Sequence, residues 1–83
     1  MTDSTDAQLR QRLADARDRR DRADAKIQQA AASARRRLSL FETPDELDIE
    51  GILATVGDLR DARQDWLRAR DDERKLKSLL GMS

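Results

Sequence analysis

Hydrophobic side chains recur at steps of three and four residues through the first half of the chain. This spacing places them on one face of an α-helix and is typical of a coiled-coil seam. Four of these ten positions are alanine, so a second helix can approach closely there. The pattern predicts a helix over about residues 6–40, after a flexible N-terminus at residues 1–5. Its predicted seam is Leu9, Leu13, Ala16, Arg20, Ala23, Ile27, Ala30, Ala34, Leu38 and Phe41.

A second series of apolar residues, at mostly helical spacing, fills the other half of the chain and predicts a helix over residues 44–80. Gly81 can take the left-handed conformation that ends many helices, so residues 81–83 are predicted to form a C-terminal cap. Gly51 weakens the helix by roughly 1 kcal/mol relative to alanine, and a break there is an open alternative. The predicted seam is Ile49, Ile52, Leu53, Val56, Leu59, Ala62, Trp66, Ala69, Leu76 and Leu80.

The segment between the two series carries the signals of a tight turn at residues 41–44 followed by a helix start. Thr43 and Glu46 have the spacing of a capping box, in which each side chain binds the backbone amide of the other residue. Pro44 lies at the first helical position, where a missing N–H group has no cost. The predicted fold class is therefore all-α, a single-domain antiparallel helical hairpin in which facing residue numbers add up to about 84.

The composition excludes several kinds of chemistry. The chain has no cysteine and no histidine, so it lacks thiol chemistry, the commonest metal ligand and the usual general base near neutral pH. Its serines have no base at a matching helical spacing, and the sequence contains no glycine-rich phosphate loop. We therefore expect no enzymatic activity, no cofactor, no metal site and no small-molecule substrate.

Hydropathy and net charge do not favour a membrane or a nucleic acid as the partner of the whole chain. No apolar run approaches the length that spans a bilayer, and the polar N-terminus is unlike a secretory leader, so a cytoplasmic location is expected. The 17 basic and 17 acidic residues balance, although residues 1–43 carry a net charge of +3 and residues 44–83 a net charge of −3. Six predicted ion pairs lie along the helices: Asp15–Arg19, Asp18–Arg22, Arg17–Asp21, Arg20–Asp24, Asp71–Lys75 and Glu73–Lys77.

Several large apolar side chains are left over beside the predicted seams. A two-helix hairpin has no enclosed core, and its apolar face is wider than one partner helix can cover, which favours a homodimer forming a four-helix bundle or another protein partner. The leading hypothesis is a non-enzymatic protein–protein interaction module: a small adaptor, inhibitor, chaperone or structural subunit of bacterial, phage or mobile-element origin. The candidate partner interface is Leu47, Leu53, Trp66, Leu67 and Leu79.

The alternative hypothesis is a dimeric RNA- or DNA-binding regulator. Arginine suits phosphate recognition, and the candidate contacts form two clusters: Arg17, Arg19, Arg20 and Arg22, and Arg35, Arg36 and Arg37. In shape alone, without a shared motif, such a dimer resembles the small plasmid-encoded RNA-binding four-helix bundle. The length and layout also resemble needle subunits and hairpin chaperones of type III secretion, although the needle family's tryptophan-containing N-terminal motif is absent.

Overall fold

The computed structural model describes residues 2–81, with side chains from residue 5 onward. Helix α1 spans Thr2–Ser39 and helix α2 spans Ile49–Leu79, with a single 3₁₀ turn at Pro44–Glu46 between them. The two helices pack against each other in a rod of 67 × 18 × 13 Å. The predicted all-α hairpin is thus confirmed, and the described residues contain no strand. Within residues 2–81, neither helix has an apolar stretch long enough to cross a bilayer.

Both helix starts differ from their predicted positions. Helix α1 already begins at Thr2, so the described part of the predicted flexible N-terminus is helical. Helix α2 begins at Ile49, five residues after the predicted start at Pro44. At the other end, Gly81 has a φ of 72°, as predicted for the cap, while residues 82–83 lie outside the described part of the chain.

The predicted capping box does not form. The Thr43 side chain makes no capping hydrogen bond, and the Glu46 carboxylate accepts from the Glu42 backbone N–H at 3.0 Å. The N-cap of α2 is Asp48, whose carboxylate accepts from the Gly51 N–H at 2.9 Å. Asp48 also binds the Arg37 guanidinium of α1 at 2.5 Å. A cap that also joins the two helices is stabilised by two charge-assisted contacts, which explains why the helix starts there.

The seam on α1 follows the prediction from Leu9 to Ala34, whereas Leu38 and Phe41 are exposed. On α2, the inward positions alternate strictly by three and four residues: Ile52, Thr55, Leu59, Ala62, Trp66, Ala69, Glu73, Leu76 and Leu80. The predicted seam therefore omitted two inward polar residues. It also included three apolar residues that the structure leaves exposed: Ile49, Leu53 and Val56.

The facing register is shifted by about one heptad from the prediction. Ion pairs join Arg19 to Asp72 at 2.9 Å and Arg20 to Glu73 at 2.6 Å, so facing residue numbers add up to about 91 and not 84. The reason is the connection, which occupies residues 40–48 instead of four residues. A one-heptad shift keeps seam residues in the seam but changes their partners, so Trp66 lies far from its predicted neighbour Ala16.

The core is small for a folded chain. The buried apolar residues are one leucine and four alanines: Leu13, Ala16, Ala23, Ala62 and Ala69. The accessible surface is 6576 Å², whereas a compact protein of 9.5 kDa exposes about 5,000 Å². The hairpin therefore leaves on the order of 1,500 Å² more surface in water than a globular chain of its mass.

The glycines in α2 occupy different environments, and the helix continues through both of them. A Cβ atom on Gly51 would collide with the Asp48 carboxylate and lie 2.5 Å from the Arg37 guanidinium nitrogen, so glycine there makes room for the cap and its ion pair. A Cβ atom on Gly57 would meet nothing within 4 Å.

We expect Gly57→Ala to stabilise the hairpin by about 0.5–1 kcal/mol, since alanine has the higher helix propensity and fits without contact. Gly51→Ala should show no such gain, because its methyl group displaces the Asp48 cap. Urea denaturation followed by circular dichroism at low protein concentration measures both. Equal stabilisation by the two substitutions would contradict the role assigned to Gly51.

Candidate partner-binding surface

A second row of residues runs along α2 beside the seam, with the same alternation of three and four residues. Near the turn the row is apolar, and toward the C-terminus it is almost entirely basic. Its members are Ile49, Leu53, Val56, Arg60, Arg63, Leu67, Arg70, Arg74 and Lys77. We call Arg60, Arg63, Arg70, Arg74 and Lys77 the basic stripe.

The apolar part of this row is exposed. Ile49, Leu53 and Val56 have 53%, 64% and 50% of their surface in water. Val56 lies on this side because it directly follows the seam residue Thr55. On α1 the residue after the seam residue Ala30 occupies the same side, and Leu38, one heptad later, does so too. Leu38 is 53% exposed. In the observed register Leu38 is level with Leu53. We call Leu38, Ile49, Leu53 and Val56 the apolar patch, and the side of the hairpin that carries it the patch side.

The apolar patch borders further apolar surface. A shallow groove beside it is lined by Val56, by the half-buried Ile27 and Leu59, and by Arg60 and Arg63 of the basic stripe. In the connecting loop, Leu40 and Phe41 are 69% and 40% exposed. Contiguous apolar surface of this extent is typical of binding sites and uncommon on the surface of a soluble monomer.

The other side of the hairpin is polar. Its groove is lined by side chains of both helices, including Lys26 and Ser33 from α1 and Asp58, Asp61 and Asp65 from α2. We call it the groove side. The two sides therefore differ in chemistry, and only the patch side offers a continuous apolar surface near the turn.

The structure does not bring the five predicted interface residues together. Leu53 belongs to the apolar patch and the half-buried Leu67 lies further along the same row, whereas Leu79 is 69% exposed and directly precedes a seam residue, which places it on the groove side. Leu47 is half-buried in the loop. Trp66 lies in the seam, half-buried, with the Arg70 guanidinium 5.3 Å from its ring centroid.

Most of the arginines predicted to contact nucleic acid bind acids within the hairpin. Arg17 and Arg20 reach Glu73 at 3.4 and 2.6 Å, and Arg19 reaches Asp72 at 2.9 Å. Arg37 binds the capping residue Asp48. Among the described residues, the remaining three form no ion pair within 4 Å: Arg22, Arg35 and Arg36.

Of the six pairs expected along the helices, only Glu73–Lys77 is present within residues 5–81, at 3.3 Å. The long arginine side chains of α1 instead reach across to α2. These ion pairs between α1 and α2, in place of pairs within each helix, connect the two helices and fix their register.

Glu73 is the centre of these contacts. It is only 4% exposed, and its carboxylate receives Arg17 and Arg20 from α1 and Lys77 from its own helix. Burial alone raises the pKa of this carboxyl and is the largest single effect. The hydrogen bond from Lys77, the charges of Arg20 and Lys77, and the hydrogen bond from Arg17 together outweigh it, so that the pKa lies below its ordinary value of 4.5.

Two features of this region were not predicted from the sequence. Glu73 was assigned to a surface pair because it is charged, and the basic stripe was overlooked because its members are spread over 18 residues. A strict alternation of three and four residues, extended from Leu59 and Trp66, places Glu73 in the seam. The row of residues that directly follow these seam positions then contains the basic stripe. Arg70 is notable within the stripe, since its buried Nε has no hydrogen-bond partner among the described residues.

Within the described part of the chain, no group of three acidic side chains lies close enough to hold a metal ion. No known protein family, curated protein sequence or solved structure matches this chain. A functional assignment therefore depends on the apolar patch, the basic stripe and the charges around them.

We expect Glu73→Gln to destabilise the hairpin by about 1–2 kcal/mol at pH 7, since an amide cannot hold three cations as a carboxylate does. The pKa of Glu73 is lowered in the folded state, so its contribution is fully present above the ordinary pKa of 4.5 and is lost as the pH falls through the folded value. Wild type and variant should therefore converge in stability at acidic pH.

Thermal melts from pH 7 to pH 3 measure this difference. Asp71→Asn serves as the control, because Asp71 is exposed and its contact with Arg70 at 3.7 Å contributes little. A Glu73→Gln variant that stayed equally destabilised across the whole pH range would show that the carboxylate charge is not what stabilises the seam.

Proposed function

We propose that this chain is a non-catalytic protein–protein interaction module that acts as a homodimer, docking a second copy of itself on the patch side. The observation that carries the proposal is the exposed apolar patch of Leu38, Ile49, Leu53 and Val56. Each of these side chains has about half or more of its surface in water, although six positions of the seam are occupied by alanine.

The surface area of the hairpin supports self-association. Its excess of about 1,500 Å² over a compact chain exceeds the roughly 800 Å² that each partner buries in a standard protein–protein interface. A core of one leucine and four alanines also provides little burial for a chain of 83 residues. Small domains without disulfides or metals often gain stability from association, which favours a partner that is always present: another copy.

The charges of the hairpin favour a protein partner over nucleic acid. Three of the four arginines in the first cluster form ion pairs with acidic residues of α2. Their positive charges are therefore largely neutralised within the hairpin and contribute little to phosphate binding. The described residues also expose a single large aromatic side chain, Phe41, whereas binding of single strands relies on several aromatic stacking platforms. In the cell, a dimer of this kind suits an adaptor, inhibitor, chaperone or structural subunit.

We expect Leu53→Glu to weaken self-association at least tenfold, because it places a charge in the centre of the apolar patch. The side chain is 64% exposed in the hairpin, so the fold of the monomer should change in stability by less than about 0.5 kcal/mol. Sedimentation equilibrium over a range from micromolar to millimolar concentration measures the association, and circular dichroism checks the helix content.

Leu79→Glu is the matched control. Leu79 is 69% exposed on the same helix but lies on the groove side, so this substitution should leave self-association unchanged. A wild-type chain that sediments as a monomer over the whole range, with a melting temperature independent of concentration, would refute the proposed function.

A further inference from the structure

The chemical character of the patch side changes along the rod, and this order restricts how two copies can pack together. Near the turn it is apolar, and away from the turn it carries the basic stripe. Beyond the apolar patch, at the end of the rod, the loop holds three exposed carboxylates: Glu42, Asp45 and Glu46. We call these three residues the acidic loop. The order along the rod is thus acidic loop, apolar patch, basic stripe.

A fully overlapping antiparallel arrangement conflicts with this order. If two hairpins pack head to tail over their whole length, each apolar patch faces the cations of the partner's stripe, where they lack a partner of opposite sign, which is unfavourable at an interface. With the turns at the same end, a two-fold axis along the rod places α2 of each copy on α1 of the other. The basic stripe then faces a mixed row that includes Arg17, Asp21 and Asp24, and only part of its charge is matched.

We propose that two copies associate as an offset antiparallel dimer that overlaps only at the turn halves, with the acidic loop of each copy against the basic stripe of the other. This inference rests on the proposed self-association and adds its geometry. The two-fold axis passes at the level of Leu38 and Leu53. Each apolar patch then packs on the partner's apolar patch, in the self-complementary manner of a two-fold interface.

The distances along the helix agree with this arrangement. Arg60 and Arg63 lie about 10 and 15 Å from Leu53 toward the C-terminus, at 1.5 Å per residue. Ile49, the first residue of α2, lies about 6 Å from Leu53 in the other direction, and the acidic loop begins just beyond it. Rotation about the axis therefore brings the partner's acidic loop to the level of these two arginines.

Charge complementarity supports the same contact. Among the described residues, neither Arg60 nor Arg63 has an ion-pair partner within 4 Å, so both are available to the partner's carboxylates. On α1, Arg35 lies one turn before Leu38 and is likewise exposed. In the offset dimer, Arg35 on α1 lies at the level of the partner's loop, as Arg60 and Arg63 do on α2.

The overlap is modest. It covers about 25 Å of the rod across both helices and buries on the order of 1,000 Å² in total, at the lower end for specific interfaces. We therefore expect a dimer that exchanges with monomer at micromolar or higher concentration and that weakens as salt screens the charged contacts.

Charge reversal tests the geometry. The stripe variant carries Arg60→Glu and Arg63→Glu, and the loop variant carries Glu42→Lys and Asp45→Lys. In each homodimer the acidic loop and the basic stripe then have the same sign, and self-association should weaken about tenfold or more. In a mixture of the two variants both contacts regain opposite signs, so a heterodimer should form with an affinity near that of wild type. Native mass spectrometry resolves the heterodimer by mass, and sedimentation equilibrium gives the affinities.

The matched control carries Arg68→Glu and Lys75→Glu, which changes the net charge as the stripe variant does but on exposed residues of the groove side. It should associate like wild type. Circular dichroism of every variant checks that the hairpin remains folded.

The outcomes separate the two proposals. If wild type dimerises through Leu53 while charge reversal has no effect, or the mixture does not recover, the offset geometry is wrong and the proposed function stands. If wild type does not self-associate, the proposed function itself fails. If the stripe variant loses binding to single-stranded RNA or DNA in low salt while its self-association is unchanged, the basic stripe serves nucleic acid and the loop contact is refuted.

Discussion

The buried carboxylate of Glu73 is the contact on which the arrangement of this hairpin depends. A heptad pattern alone does not distinguish one register from another, because a shift of one heptad again places seam residues opposite seam residues. The ion pair between Glu73 and Arg20 removes that ambiguity, since both are seam residues and only one register brings them together. Polar residues in coiled-coil seams often specify register in this way at some cost in stability.

The same choice of residues shapes the outer surface. Among the large apolar residues of the seam only Leu13 is buried, and the others, such as Ile27 and Leu59, are half-buried. Four further large apolar residues lie outside the seam near the turn, where they form the apolar patch. A seam held partly by charge and an outer face with exposed leucine, isoleucine and valine both support the proposed burial of apolar surface between chains.

The sequence was sufficient for the fold class, for the α1 seam as far as Ala34 and for the glycine cap, because each depends on local periodicity or on one residue's conformational preference. It was insufficient for the start of α2, where Thr43 and Asp48 are both competent caps. What decides between them is the contact of Asp48 with Arg37 on the other helix, which a local pattern does not contain. The register was predicted incorrectly because it follows from the length of the connection, which depends on where α2 starts.

The candidate surface was predicted only in part because hydrophobicity was taken as a sign of burial. Ile49, Leu53 and Val56 were assigned to the seam for being apolar, and Thr55 and Glu73 were left out for being polar. Only Leu53 was also expected at an interface. Periodicity alone distinguishes these residues correctly, since Thr55 and Glu73 continue the strict alternation.

The distribution of charge then decides what kind of assembly the apolar patch can support. An apolar row along the entire helix would favour a four-helix bundle, with all hairpins overlapping over their full length. Here the row turns basic at Arg60, so complete overlap leaves several of its cations opposite apolar or uncharged residues. Association limited to the turn halves avoids this conflict and leaves most of each basic stripe outside the contact. In the proposed dimer, two rods of 67 Å joined over about 25 Å form an assembly of about 110 Å, with the remaining cations displayed toward both ends.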